Sequence, residues 1–183
     1  MASPRGINVA PKEMIECAFR TMDGNRTRVN VRLPKGRFDF ICNLPEGASN
    51  ALAKAVTAKF GVTSANQMIQ TNVFVLTVHN PDAGGLKPSQ NGNPKPAPNK
   101  PGHHASNAET IKALTQWLEG RVHLPVLDQT GLTGKFAYSL DWNEPDADYP
   151  NDEGLKQALL NQLGLDLTPD IRSVKILVID KAK

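Results

Sequence analysis

Four histidines, eighteen carboxylates and two cysteines are the raw material for chemistry in this chain, and none falls in a spacing that commits it to a reaction. His103 and His104 are adjacent, next to Gly102, in a stretch rich in proline and glycine. A metal site needs several ligands held in fixed geometry, and two neighbours on a mobile segment do not supply that, so both are expected in a solvated loop. His79 follows an apolar run and His123 precedes Pro125, each without Cys, Asp or Glu at ligand spacing. Cys17 and Cys42 form no Cys-x-x-Cys pair. Their even number permits one disulfide in an oxidising compartment, yet free Cys is also a common buried apolar residue, so the sequence leaves their pairing open.

Two loops carry the remaining candidates. Asp141 to Glu153 is acidic enough to suggest calcium but lacks the regular oxygen spacing and sharp glycine turn of a calcium loop, and reads as a solvated insertion leading into a helix. Asp128-Gln129-Thr130-Gly131-Leu132-Thr133-Gly134 resembles a phosphate loop until its end, where Gly134-Lys135-Phe136 opens a strand and not a helix. A tight turn accounts for it better. Asp39 and Asp128 have nothing to bring them together, and no Gly-x-Ser-x-Gly nucleophile elbow occurs. The sequence therefore assigns no catalytic, cofactor-binding or metal-binding residue. Trp117 and Trp142 are expected as core or lobe-interface anchors. An exposed Trp142 beside the acidic loop would, with Asp146, Asp148 and Tyr149, form a candidate interaction surface.

The elements that must position these residues repeat. Leu52-Ala53-Lys54-Ala55-Val56-Thr57-Ala58-Lys59-Phe60-Gly61-Val62 aligns without a gap on Leu155-Lys156-Gln157-Ala158-Leu159-Leu160-Asn161-Gln162-Leu163-Gly164-Leu165. Each copy reads as an amphipathic helix closed by glycine, with Leu52, Ala55, Val56 and Phe60 on one stripe and Leu155, Ala158, Leu159 and Leu163 on the other. Ser49 or Asn50 is the expected cap of the first copy. Upstream stand two alternating strands. Phe38, Phe40, Cys42 and Leu44 share one side of the first, and Phe136, Tyr138, Leu140 and Trp142 one side of the second. Downstream, Val73–Val78 and Val174–Ile179 are apolar on nearly both faces and are expected as central strands. Further helices are expected from Pro11 to about Met22 and from Asn107 to about Leu118, with a strand over Arg28–Leu33.

This order predicts an α+β fold: a tandem duplication of an α-β-β-α-β unit forming two similar packed lobes, at 7–80 and 105–183, joined by a Pro/Gly-rich linker at 81–104 with polyproline character from Pro94 to Pro101. The chain has 183 residues and a formal charge of +3, too small and too scattered for a nucleic-acid footprint. No stretch is apolar for long enough to span a membrane, and Met1-Ala2-Ser3-Pro4-Arg5 lacks the apolar core of a signal peptide.

Pro125 to Phe136, followed by Ser139-Leu140-Asp141-Trp142, resembles the signature of the Solibacter-type family, a paralogous domain of unknown function expanded in Acidobacteria and found in Verrucomicrobia. Arg37-Phe38-Asp39-Phe40 with Pro45-Glu46-Gly47, Lys59-Phe60-Gly61, Gly85-Leu86-Lys87-Pro88-Ser89 and Leu163-Gly164-Leu165 with Val174 to Asp180 agree with it. The chain departs from that pattern at Thr63-Ser64-Ala65-Asn66, where members carry a basic and acidic segment, and lacks their usual first strand before Ile7. The resemblance implies a secreted, periplasmic or envelope-associated domain, in some members joined to a membrane metallopeptidase. It implies no activity and no cofactor. Together with the missing catalytic constellations it points to a non-catalytic binding, sensing or interaction module whose partner is an envelope protein or peptide. The alternatives are a hydrolase of unknown substrate and a structural domain that orients a fused membrane peptidase or anchor.

Overall fold

Helix boundaries follow from local chemistry that the computed structural model makes explicit; it describes residues 5–19, 24–44, 46–89, 100–144 and 152–182. Helix α1 (Pro11–Phe19) opens with Glu13 reaching back to accept from the Ala10 N–H at 2.7 Å, one half of a capping box. It buries Met14, Ile15 and Ala18. Residues 20–22, expected to extend it, lie outside the described residues. Helix α2 (Ala48–Phe60) starts at Gly47, with φ 67°, and neither Ser49 nor Asn50 caps it as expected. Its stripe is Leu52 and Val56, while Ala55 is exposed and Ala53 packs in its place. Thr110 caps helix α3 (Ile111–Val122), its hydroxyl oxygen accepting from the Ala113 N–H at 3.2 Å. Helix α4 (Asp152–Ala158) continues as a π turn over 159–163. Gly61 and Gly164 end α2 and the π turn in the left-handed region, at φ 63° and 68°.

The strands are β1 (Arg5–Val9), β2 (Thr27–Val29), β3 (Phe38–Ile41), β4 (Val62–Val78), β5 (Lys87–Pro88), β6 (His103–Glu109), β7 (Val126–Asp128), β8 (Phe136–Asp141) and β9 (Leu165–Lys181). Helices and mixed sheets make the fold α+β, and the order β-α-β-β-α-β is read from β1 to β4 and again from β6 to β9. Two compact units divide the chain, 1–71 with 173–183, and 72–172. The divisions fall inside β4 and β9, each of which starts in one unit and ends in the other.

In the first unit β1 pairs antiparallel with β3, and β2 runs parallel to the end of β9, Thr27 opposite Leu177 and Val29 opposite Ile179. The β1–β3 register slips between Gly6 and Val9, where Asn8 takes φ 55°; Asp39 accepts from its N–H at 2.7 Å and Arg37 donates to its carbonyl at 2.6 Å. The core gathers Met14, Ile15, Ala18, Leu52, Val56, Val62, Leu177 and Ile179, with Phe38 and Phe60 edge to face at 5.2 Å. Leu44, expected to share the face of Phe38 and Phe40, is 47% exposed because β3 has already ended at Ile41. Cys17 and Cys42 are free thiols.

In the second unit β7 runs parallel to the end of β4, Phe74 opposite Val126 and Leu76 opposite Asp128, and β8 lies between β5 and β6. Leu114 and Leu118 of α3, Leu155 and Leu159 beyond it, Leu140 of β8 and Leu165 of β9 fill the core. Buried Glu119 accepts from the Val126 N–H at 2.8 Å and so ties α3 to the start of β7. Asp128 accepts from the Thr130 N–H at 2.9 Å and from its hydroxyl at 2.7 Å, and the Thr130 hydroxyl accepts from the Leu132 N–H at 3.1 Å; this is a nested turn, as expected in place of a phosphate loop. The Asn107 helix of the sequence reading is corrected: Asn107 to Glu109 finish β6, and α3 begins at Ile111. No helix of the described residues is long and apolar enough to cross a membrane.

Candidate functional site

A turn places the first residues of the site. Lys100-Pro101-Gly102-His103 carries proline at its second position and glycine, φ 68°, at its third, and closes with the His103 N–H donating to the Lys100 carbonyl at 3.2 Å, the signature of a type II turn. Glycine is required there twice over. Its φ disfavours a side chain, and a Cβ would overlap the Trp142 carbonyl oxygen and lie 3.2 Å from the Glu144 Cβ. The turn leads directly into β6, so His103 and His104 are strand residues, correcting the expectation of a solvated loop. Pairing with β8 puts His103 opposite Asp141, His104 opposite Leu140 and Ser106 opposite Tyr138.

Successive strand side chains point opposite ways, and the two histidines find different partners. His103 Nδ1 is 2.6 Å from Asp141 Oδ1, while the Ser139 hydroxyl donates to Oδ2 at 3.2 Å. The hydrogen bond from His103 holds the Asp141 carboxyl below the usual range. His104 stacks on Trp117 with centroids 3.9 Å apart and planes 8° from parallel, and its Nε2 lies 3.3 Å from Glu109 Oε2. The Tyr138 hydroxyl donates to the same Glu109 oxygen. Burial pushes the Glu109 carboxyl up, but the bonds from His104 and Tyr138 outweigh it and leave the group below its ordinary value. Tyr138 moves the other way: burial and the adjacent carboxylate push its phenol up.

Helix α3 supplies the other wall. Trp117 and Arg121 are four residues apart and therefore share a face. Trp117 meets Trp142 edge to face at 6.0 Å and 66°, and the Arg121 guanidinium sits 6.0 Å from the Trp142 ring centroid. Arg121 donates to Glu144, whose Oε2 also accepts from the Trp142 indole N–H at 2.6 Å. Lys100, Pro101, Gly102, His103, Trp117, Arg121, Trp142 and Glu144 surround a cleft of about 390 Å³. That volume falls within the about 300–1,000 Å³ typical of small-molecule sites.

The carboxylates around the cleft are engaged within the protein. Asp141, Glu109 and Glu144 are each bound to a cation, a histidine or a phenol. Neither His103 nor His104 is hydrogen-bonded to a serine or cysteine among the described residues, and the upward shift of Tyr138 makes its phenol a poorer nucleophile. No three His, Cys, Asp or Glu side chains converge as a metal site among the described residues. Of the sequence candidates, Trp142 lines the cleft together with Trp117, and Asp146, Asp148 and Tyr149 lie outside the described residues. Lys100, Arg121, Glu144 and His103 line the cleft without having been expected there from the sequence. The Pro101-Gly102 dipeptide was the signal available for them, since it marks a turn into a new element.

The chain belongs to the family described as a protein of unknown function, DUF3738, whose model matches residues 12–182. No curated protein and no solved structure matches it.

Proposed function

We propose that this chain is a non-catalytic binding or sensing module and that the cleft of the second unit is its recognition site. The observation that carries this reading is the lining of the cleft: both tryptophans of the chain stand there beside Lys100 and Arg121, while the carboxylates around them are already bound within the protein. Indole faces give a ligand large apolar contact at little entropic cost, and the polar groups on the rim orient it. The twofold order β-α-β-β-α-β, with a left-handed glycine at 61 and at 164, supports a tandem duplication of lobes at 7–80 and 105–183 on either side of the 81–104 segment. An exported, periplasmic or envelope setting, with an envelope protein or peptide as partner, and a place in the Solibacter-type group rest on the sequence resemblance.

Because Trp117 and Trp142 are the chain's two tryptophans, tryptophan emission, excited where tyrosine does not absorb, reports on this cleft. Titration with a panel of short peptides, sugars and carboxylic acids is expected to shift the emission and shield it from acrylamide for at least one member, with the response lost in Trp142→Ala. A panel that changes neither emission nor melting temperature of the folded protein, at millimolar concentration, refutes the assignment.

A further inference from the structure

The sheet of the first unit has two unlike edges. Its strands run β2-β9-β4, and β7, the further neighbour of β4, pairs only with Phe74, Val75 and Leu76 in the second unit. Over residues 63–71, therefore, β4 has β9 on one side and no strand on the other among the described residues. Proteins guard such an edge against pairing by keeping it short or by placing charge or proline on it. The opposite edge is guarded in this way: β2 is three residues long and carries exposed Arg28. The β4 edge is not. Thr63-Ser64-Ala65-Asn66-Gln67-Met68-Ile69-Gln70-Thr71 contains no charge, no proline and no glycine. Residues 65–68 are all exposed, Met68 at 67%, so both faces of the strand are uncovered there.

We infer that this edge joins two copies of the chain, residues 63–71 of one pairing antiparallel with the same segment of the other. The composition of the run selects a second copy over a foreign strand. In a twofold pair every residue faces another from the same nine, so any charge would stand near its own kind, and a charge-free run is what self-pairing requires. Its polar side chains are hydroxyls and amides, which both donate and accept and so complement themselves. Pairing centred on Gln67, the middle of the run, sets the two exposed Met68 side chains diagonal to each other on one face. The contact also closes. Once paired, β4 has a strand on each side, and assembly stops at two. The edge lies in the first unit and is independent of the cleft of the second.

One strand per copy makes a small interface of the transient class, so the test is sedimentation equilibrium of the full chain at micromolar concentration and above. The chain is expected to pass from monomer to dimer and no further as concentration rises, with backbone amides within 63–71 gaining protection from hydrogen exchange over the same range. Gln67→Lys combined with Gln70→Lys should weaken the dimer by about tenfold or more at low salt, through like charges brought together across the edge. Both residues are exposed, and an unchanged melting temperature shows that the variant is folded. Mixing it with the variant that carries Gln67→Glu and Gln70→Glu should restore association, because opposite charges then meet. A chain that stays monomeric throughout, assembly beyond two, a dimer that the lysines leave intact, no gain of protection within 63–71, or mixed variants that stay apart overturns the inference.

Discussion

Gly61 and Gly164 allow the same substitution to be made in the same backbone conformation with different surroundings. Each terminates its helix at positive φ, 63° and 68°. An alanine in the left-handed region is destabilising by about 1–2 kcal/mol at either position. Around Gly61 there is open space, so Gly61→Ala should show that strain alone. At Gly164 a Cβ would overlap the Asn80 carbonyl oxygen and come within 2.6 Å of the Ala83 Cβ. The Gly164 carbonyl also accepts from the N–H groups of His79 and Asn80, at 2.8 and 3.0 Å, so the chain cannot shift aside without loosening them. Overpacking of this kind adds about 1–3 kcal/mol, which puts Gly164→Ala at about 2–5 kcal/mol. The assay is urea unfolding with the slope checked for constancy, so that midpoints can be compared as free energies. Asparagine tolerates positive φ, so Gly61→Asn should recover part of the loss at 61, whereas Gly164→Asn keeps the offending Cβ and should not. Equal destabilisation of the two alanine variants, or a larger effect at 61, would refute the reasoning.

Tyr138→Phe removes the phenol that donates to Glu109 and should destabilise the protein by about 1–3 kcal/mol near neutral pH, measured by the same unfolding assay. Glu109 has a folded pKa below its reference of 4.5, so its contribution is full above that value and is lost as pH falls through the lower, folded one; in Tyr138→Phe this acid-side loss should shrink. Gly102→Ala should spoil the turn against Trp142, seen as a shift in tryptophan emission, with a smaller change in far-ultraviolet circular dichroism. Since Cys17 and Cys42 are free, adding a reductant should leave the melting temperature unchanged, and a thiol titration of the denatured protein should count both.

Elements with their own apolar period were legible. Phe136, Tyr138 and Leu140 are buried while Ala137, Ser139 and Asp141 between them are not, as the period of two requires, and Leu155, Ala158, Leu159 and Leu163 are all buried. What escaped has a common cause. Strand β6, His-His-Ala-Ser-Asn-Ala-Glu, has no β-branched or aromatic residue and no apolar alternation; its strand character comes from the ladder with β8, which no local pattern announces. The site followed its scaffold. Once His103 is set opposite Asp141, the pair is evident, but that register is a nonlocal fact. Likewise, the pairing of β2 with β9 and of β7 with β4 joins segments more than a hundred and about fifty residues apart, roughly, so it lies beyond any window of hydrophobic periodicity.

The passage of β9 into the first unit sets an order on biosynthesis. Residues 72–172, which make up the second unit, leave the ribosome as one continuous stretch, so the unit is wholly synthesised when the last of them emerges. The first unit is different. Leu177 and Ile179 belong to its core and β2 pairs with them, yet they are made about a hundred residues after Thr71. At about 5–20 residues per second, α1 and α2 therefore wait on the order of ten seconds with Ile15, Leu52 and Val56 lacking part of their cover. The first unit, begun before the second, is completed after it, and a nonsense or frameshift lesion near residue 172 would cripple the first unit while sparing the second.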